Sequence, residues 1–177
     1  MKYFLAYDVG TSSVKSILVN ETGNILASAI EEYSLQMPSP GWVEQEPIDY
    51  WNAICKATKQ LVNSTEISIN DIKGIAFTTQ AMGIIPVDKQ GKILYPNISW
   101  VDGRAEKQAS KIMKKVGGKS IFTFFTGIEI TGKDVVPKLL WLQENKPEIY
   151  KNTYKFLDVN GYLKYKCTDK MVAEWSG

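Results

Sequence analysis

Histidine is absent from all 177 residues. That removes the commonest general base and the commonest transition-metal ligand together. Serine-protease-like triads and zinc-hydrolase sites drop out, and any proton transfer falls to a carboxylate, lysine, tyrosine or cysteine. Cysteine is nearly absent too: Cys55 and Cys167 are isolated thiols without metal-ligand spacing, as in a reducing compartment. The chain also lacks a charge bias. Lys+Arg 21 against Asp+Glu 19 leaves +2, too balanced to argue for nucleic acid as a partner. No apolar run approaches the length of a membrane span, and the first strand begins without a signal-peptide pattern. The expectation is a cytoplasmic protein with no membrane partner, in which the sequons at Asn20, Asn63 and Asn97 carry no glycosylation argument. Internal repeats and low-complexity tracts are missing as well. What remains, 44% hydrophobic and 11% aromatic, describes a folded chain long enough for one domain with a sizeable core.

The most informative stretch is Asp8-Val9-Gly10-Thr11-Ser12-Ser13-Val14-Lys15. Tyr3 to Tyr7 before it reads as a buried strand and Val14 to Val19 after it as a second, with Gly10 expected to supply a positive φ at the turn. The hairpin tip then carries a carboxylate, a glycine, three hydroxyls and a lysine. An aspartate at a strand end holds Mg²⁺ through water, while turn N–H groups and hydroxyls donate to phosphate oxygens. An ordinary hairpin with a polar turn is the competing reading.

Further along, Ile25 to Tyr33 reads as a third antiparallel strand and Gln36 to Pro47 as an extended loop anchored by Trp42. Pro47 suits the first turn of a helix whose predicted stripe is Ile48, Trp51, Ile54, Thr58, Leu61 and Val62. Asp71 to Thr78 is expected as a buried strand. Ile84 to Val87 and Ile93 to Tyr95 should form a hairpin around Asp88-Lys89-Gln90-Gly91. Residues 103–116 read as a helix with a solvated basic face, and Phe122, Phe124 and Phe125 as core. Val135 to Leu142 opens another helix, with Pro137 near its first turn; Tyr154 to Leu157 reads as a late strand and Gly161 to Cys167 as a short helix. Three antiparallel strands, a helix, then further strands and helices suit a mixed α/β sheet with a meander rather than a doubly wound one. Gly118-Lys119-Ser120 imitates the end of a P-loop, but position 113 is methionine instead of the required glycine and a helix, not a strand, precedes it.

Four segments then agree with one another. Asp8 to Lys15, Pro40-Gly41-Trp42-Val43-Glu44-Gln45-Glu46-Pro47, Trp100-Val101-Asp102-Gly103-Arg104 and Pro137-Lys138-Leu139-Leu140-Trp141-Leu142 occur in the order and with separations similar to those of one family. Over almost its whole length the chain resembles the N-terminal domain of the FGGY carbohydrate kinases, and looks most like their xylulokinase branch. The resemblance implies an α/β, actin-like (ribonuclease H-like) domain, with an antiparallel three-strand meander in a mixed sheet flanked by helices. It implies ATP and Mg²⁺ as cofactors, with Asp8, Gly10, Thr11, Ser12, Ser13 and Lys15 at the phosphates and Asp8 at the metal. Phosphoryl transfer runs on positioning and charge neutralisation, so a histidine-free chain loses nothing by it.

By the same resemblance, a small sugar substrate lies at Gln80, Ala81, Met82 and Gly83 and at Trp100, Asp102 and Arg104. Asp102 and Arg104 suit paired hydroxyls, and Trp100 an apolar C–H face. The alternative is that Asp102 and Arg104 pair with each other and cap the next helix. Similar xylulokinases have Gln-Met-His-Gly where this chain has Gln80-Ala81-Met82-Gly83. The loss of an imidazole should change which hydroxyl pattern is accepted, so a different ketose, a polyol or a sugar acid competes with xylulose. The family's catalytic aspartate lies well beyond residue 177, and nothing in the spacing of Glu44, Asp88 or Asp102 favours them as a base. The chain, ending at Ala173 to Gly177, is thus expected to be an N-terminal piece of a two-domain kinase, inactive alone and open to homodimer formation. A non-catalytic actin-like module binding a sugar or a protein is the second reading. A kinase of glucokinase or acetate-kinase type ranks third, because it would lack the segments 40–47 and 137–142.

Overall fold

The structure, a computed structural model, describes residues 1–172; the terminal segment 173–177, where the first domain was expected to break off, lies outside the described residues. In chain order the strands are β1 (Tyr3–Val9), β2 (Ser13–Asn20), β3 (Ile25–Glu32), β4 (Glu44–Gln45), β5 (Ile72–Thr79), β6 (Ile85–Val87), β7 (Asn97–Ile98) and β8 (Lys155–Leu157). The helices are α1 (Pro47–Asn63), α2 (Glu106–Lys115), α3 (Lys119–Thr126), α4 (Val135–Asn145), α5 (Pro147–Asn152) and α6 (Val159–Thr168). Two compact units result, one from Met1–Leu35 with Glu46–Gln80 and one from Gln36–Gln45 with Ala81 onward.

The first unit is a four-stranded sheet in the order β3-β2-β1-β5. The meander β1-β2-β3 is antiparallel, and β5 returns parallel to β1 with Ala76 beside Ala6. Period-two alternation sends Leu5, Tyr7, Val9, Val14, Leu18 and Ala29 to one face, where all are buried. Helix α1 covers that face. Its buried row is Tyr50, Ala53, Ile54, Ala57 and Leu61; Ile54 and Leu61 belong to the predicted stripe, whereas Ile48, expected to lead it, stays 41% exposed. The difference has a physical reason: alanines let the helix backbone approach the sheet, and a tyrosine fits a core when its hydroxyl has a partner. Ion pairing adds to the packing. The buried Glu31 carboxylate on β3 accepts from Lys56 at 2.5 Å and from Gln60, both on α1.

Strand β5 departs from its expected burial, with Ile75 53% exposed. It lies at the sheet edge, paired among the described residues only with β1, so its outer half has nothing to pack on.

The second unit is a patchwork of short ladders and helices. β4 pairs with β7, β6 pairs with β8, and a single bridge joins Ile84 to Ile98. Ile84, Ile98, Ala105, Trp141 and Leu142 form its buried centre, and Trp42 packs edge-on against Trp141 at 5.1 Å, the anchoring role expected of it. The hairpin expected around Asp88 forms, its side chain accepting from the N–H groups of Gln90 and Lys92 and an antiparallel bridge joining Val87 to Ile93, while the longer ladder of β6 is with β8. Phe124 and Phe125 correct the expected core. They are 84% and 80% exposed on α3 and packed on each other. Gly118 begins α3 and not a phosphate loop.

Leu61, 1% exposed under the sheet, provides a test of this packing. Leu61→Ala should cost about 3 kcal/mol, read as a lower urea midpoint of the first unit's unfolding.

Candidate phosphate and sugar sites

The β1–β2 hairpin is braced from within. Gly10 N–H donates to Ser13 O at 3.0 Å, and Tyr33 N–H to Ser12 O at 3.0 Å. The Tyr33 hydroxyl donates to Gly10 O at 2.6 Å and to Ser13 O at 2.9 Å. The carbonyl oxygens of the tip are therefore engaged on internal donors, which turns the negative ends of its peptide dipoles inward and suits the outside to an anion. Burial, and then the charge of Asp8, raise the Tyr33 phenol above its ordinary range, so it remains a donor throughout the physiological range. Gly10 does not occupy the left-handed region, contrary to expectation; the tip closes through the Gly10–Ser13 bond and the Tyr33 strut without a positive φ.

Asp8 and Lys15 are direct cross-strand neighbours, both exposed. They sit on the sheet face opposite α1, at an open hollow of about 490 Å³ shared with Ala6, Ile17, Ala76 and Thr78. Ser12 is exposed at the tip, with Thr11 and Ser13 half-buried beside it.

The boundary between the two units falls within residues 80–83. Gln80 ends the first unit, where it is buried; its N–H donates to Val9 O at 2.9 Å and its amide to Tyr50 Oη at 3.2 Å and Gly10 O at 3.4 Å. It supports the β1–β2 hairpin. Ala81, Met82 and Gly83 open the second unit, Ala81 and Met82 exposed and Gly83 buried. A Cβ on Gly83 would come within 2.6 Å of Asn97 Oδ1, so the glycine permits a close approach there.

Asp102 and Arg104 pair with each other. Arg104 Nε and Nη2 donate to the Asp102 carboxylate at 2.9 and 2.7 Å, and Nη1 donates to Glu44 Oε1 at 2.6 Å. Both side chains of the Asp102–Arg104 pair are fully enclosed. The guanidinium lies 4.0 Å from the Trp42 ring centre and 4.9 Å from that of Trp141. Burial alone would lower its pKa, but the hydrogen bonds it donates to Asp102 and Glu44, with their charges, outweigh that and raise it. Asp102 also accepts the Val43 N–H at 2.5 Å and the Arg104 N–H at 2.9 Å, and does not cap α2, whose cap position is Ala105. Trp100, two residues earlier, is 38% exposed.

Three residues with clear roles were not singled out from the sequence. Tyr33 and Tyr95, the latter donating to Glu44 at 2.7 Å, carried no local signal. Lys138 did: it is a lysine inside the apolar run of α4, and its ammonium is fully buried against Met82 O at 2.9 Å.

The sequence profile of the FGGY family of carbohydrate kinases, N-terminal domain, matches residues 3–177. The chain belongs to that family. It is 32% identical over 176 residues to the xylulose kinase of Bacillus subtilis (strain 168), covering 99% of this chain and 35% of that protein. Gluconate kinase from Lactobacillus acidophilus superposes with a TM-score of 0.84 at 25% identity, over 96% of this chain and 34% of that one. Glycerol kinase from Plasmodium falciparum, solved with ADP, gives 0.82 at 28% identity, over 96% and 35%. The chain thus spans about a third of the length of these relatives, and its α/β architecture, with the meander in a mixed sheet, is the actin-like fold of the family.

Burial lowers Lys138 from the usual lysine range to about 8, opposed by the charges of Asp102 and Asp134. Its folded pKa is below its unfolded one, so the unfolded chain binds more protons between pH 8 and 10.5 and stability from this group rises with pH across that window. Between pH 7 and 9.5 the stability of the parent minus that of Lys138→Met should rise by about 2 kcal/mol, measured by urea unfolding at each pH.

Proposed function

We propose that this chain is the phosphate- and sugar-binding N-terminal part of an ATP-dependent carbohydrate kinase acting in the cytoplasm. The observation that carries the reading is the β1–β2 hairpin, with its carbonyls tied inward and Asp8, Ser12 and Lys15 exposed. Among the described residues no three His, Cys, Asp or Glu side chains gather as a metal site. A single carboxylate is nevertheless what Mg²⁺ at a phosphoryl-transfer site calls for, since its other ligands are phosphates and water. Asp8 would hold that ion, and Gly10, Thr11, Ser12, Ser13 and Lys15 would hold the phosphates. ATP with Mg²⁺ supplies the transferable phosphoryl group and neutralises its charge. The chain's own share is to orient the phosphates and hold the sugar.

On the sugar side, Trp100 and the turn Ala81-Met82-Gly83 would offer exposed surface in the second unit, with the buried Asp102–Arg104 pair behind them as support. Relatives named for xylulose and for gluconate match alike, so the pocket residues and not the overall likeness must decide the substrate. With Ala81 and Met82 in place of methionine and histidine, the substrate class is a ketose such as xylulose, or a related polyol or sugar acid. The non-catalytic alternative gains no support, since the named relatives are kinases.

In a coupled ADP-release assay, this 177-residue chain should show no turnover with any sugar, whereas the full-length kinase should turn over and Asp8→Asn should lower its kcat about 100-fold. Turnover by the 177-residue chain would refute the proposal. In the full-length enzyme, Ala81→Met with Met82→His should raise xylulose kcat/KM relative to polyols by about tenfold. An unchanged substrate ranking would remove this turn from the sugar site.

A further inference from the structure

A fully buried lysine is an expensive way to fill space. Methionine has nearly the same shape and needs no partner, whereas an ammonium taken out of water must be compensated. Lys138 occupies such a position on α4, 0% exposed, and the hydrogen bond it makes is to the carbonyl of Met82 at 2.9 Å. Met82 is one of two non-glycine residues with positive φ among the described residues, at φ 55. Left-handed backbone at a methionine persists only where surrounding contacts hold it.

Those contacts lie at the residue and downstream of it. Downstream, Gly83 packs against Asn97, and Ile84 exchanges backbone hydrogen bonds with Ile98 at 3.2 and 3.1 Å. At Met82 itself, the contact is the ammonium of Lys138. The charges of Asp102 and Asp134 favour the charged form of this ammonium and that of Arg104 opposes it, so the ion cluster around Asp102 acts on the same group that bonds the turn. The Met82 side chain meanwhile stays 43% exposed.

We infer that Lys138 is a positioning residue for sugar selection: by gripping the Met82 carbonyl it keeps the turn in the left-handed conformation that presents Ala81 and Met82 to the substrate. This rests on the reading that the turn borders the sugar site. Lys138 touches neither sugar nor nucleotide, and acts through Met82.

The test is steady-state kinetics of the full-length kinase with Lys138→Met, Lys138→Gln and Met82→Ala, varying sugar and ATP separately. Lys138→Met should raise the sugar KM at least tenfold and leave the ATP KM within twofold. Lys138→Gln, which retains an N–H donor, should recover part of the loss; it also serves as the readout should Lys138→Met fail to fold. A parallel loss of sugar and ATP affinity in Lys138→Met or Lys138→Gln would make the lysine merely structural and overturn the inference. A sugar KM unmoved in both lysine variants but shifted in Met82→Ala would overturn it too, with the sugar-site reading intact. If all three variants keep the parental sugar KM, the turn is not at the sugar and both readings fall.

Discussion

The enclosed guanidinium of Arg104 is the interaction around which the second unit is arranged. It joins Trp42 in the loop before β4, and Glu44 on β4 itself, to the turn at Asp102 and to α4 through Trp141. A planar fork with five donors satisfies two carboxylates while its faces lie on indole rings, which a lysine at that position would not do. Removing either carboxylate would leave a buried cation with only one of its two counter-charges and with unpaired donors, at a cost of several kcal/mol. Short ladders such as β4–β7, of two residues each, have little cohesion of their own and depend on such a hub.

The first unit rests on different physics. Its sheet and α1 are held by apolar burial, with polar ties at Glu31 and at Tyr7, whose hydroxyl meets Thr58 Oγ1 at 2.6 Å. The β1–β2 hairpin extends from that platform, and the struts Tyr33 and Gln80 tie its tip to it. Oriented donors on a preorganised turn need no rearrangement when an anion arrives, which is the property phosphoryl transfer asks of a protein.

Local pattern made much of this legible. The meander follows from period-two alternation broken by turn residues, and α1 from Pro47 and a 3.6-residue period. Errors fell where a residue's surroundings are supplied from far away in sequence. The α1 stripe was displaced because hydrophobicity ranks Ile48 above Tyr50 and Ala53, while the sheet selects for fit. Phe124 and Phe125 were assigned to the core on composition, though what buries a side chain is a neighbouring element and not its own type. At the sites, the hairpin was readable because its chemistry is contiguous. The Asp102–Arg104 pair was readable only as one of two alternatives, since two residues apart in sequence allows both contact with each other and contact with a ligand.

What the amino-acid order determined unaided is the kind of chemistry available: no imidazole, a carboxylate and hydroxyls at a hairpin tip, and family segments in register. Those depend on residue identity and short spacing, and survive without any long-range contact. Tertiary structure alone decided which polar groups face outward. Residues 56 positions apart, Lys138 and Met82, meet because α4 and the turn pack in one unit, and no local rule assigns a buried ammonium to a distant carbonyl. The enclosure of Arg104 is likewise a product of packing, since its charge and donors would serve a ligand equally well on an open surface.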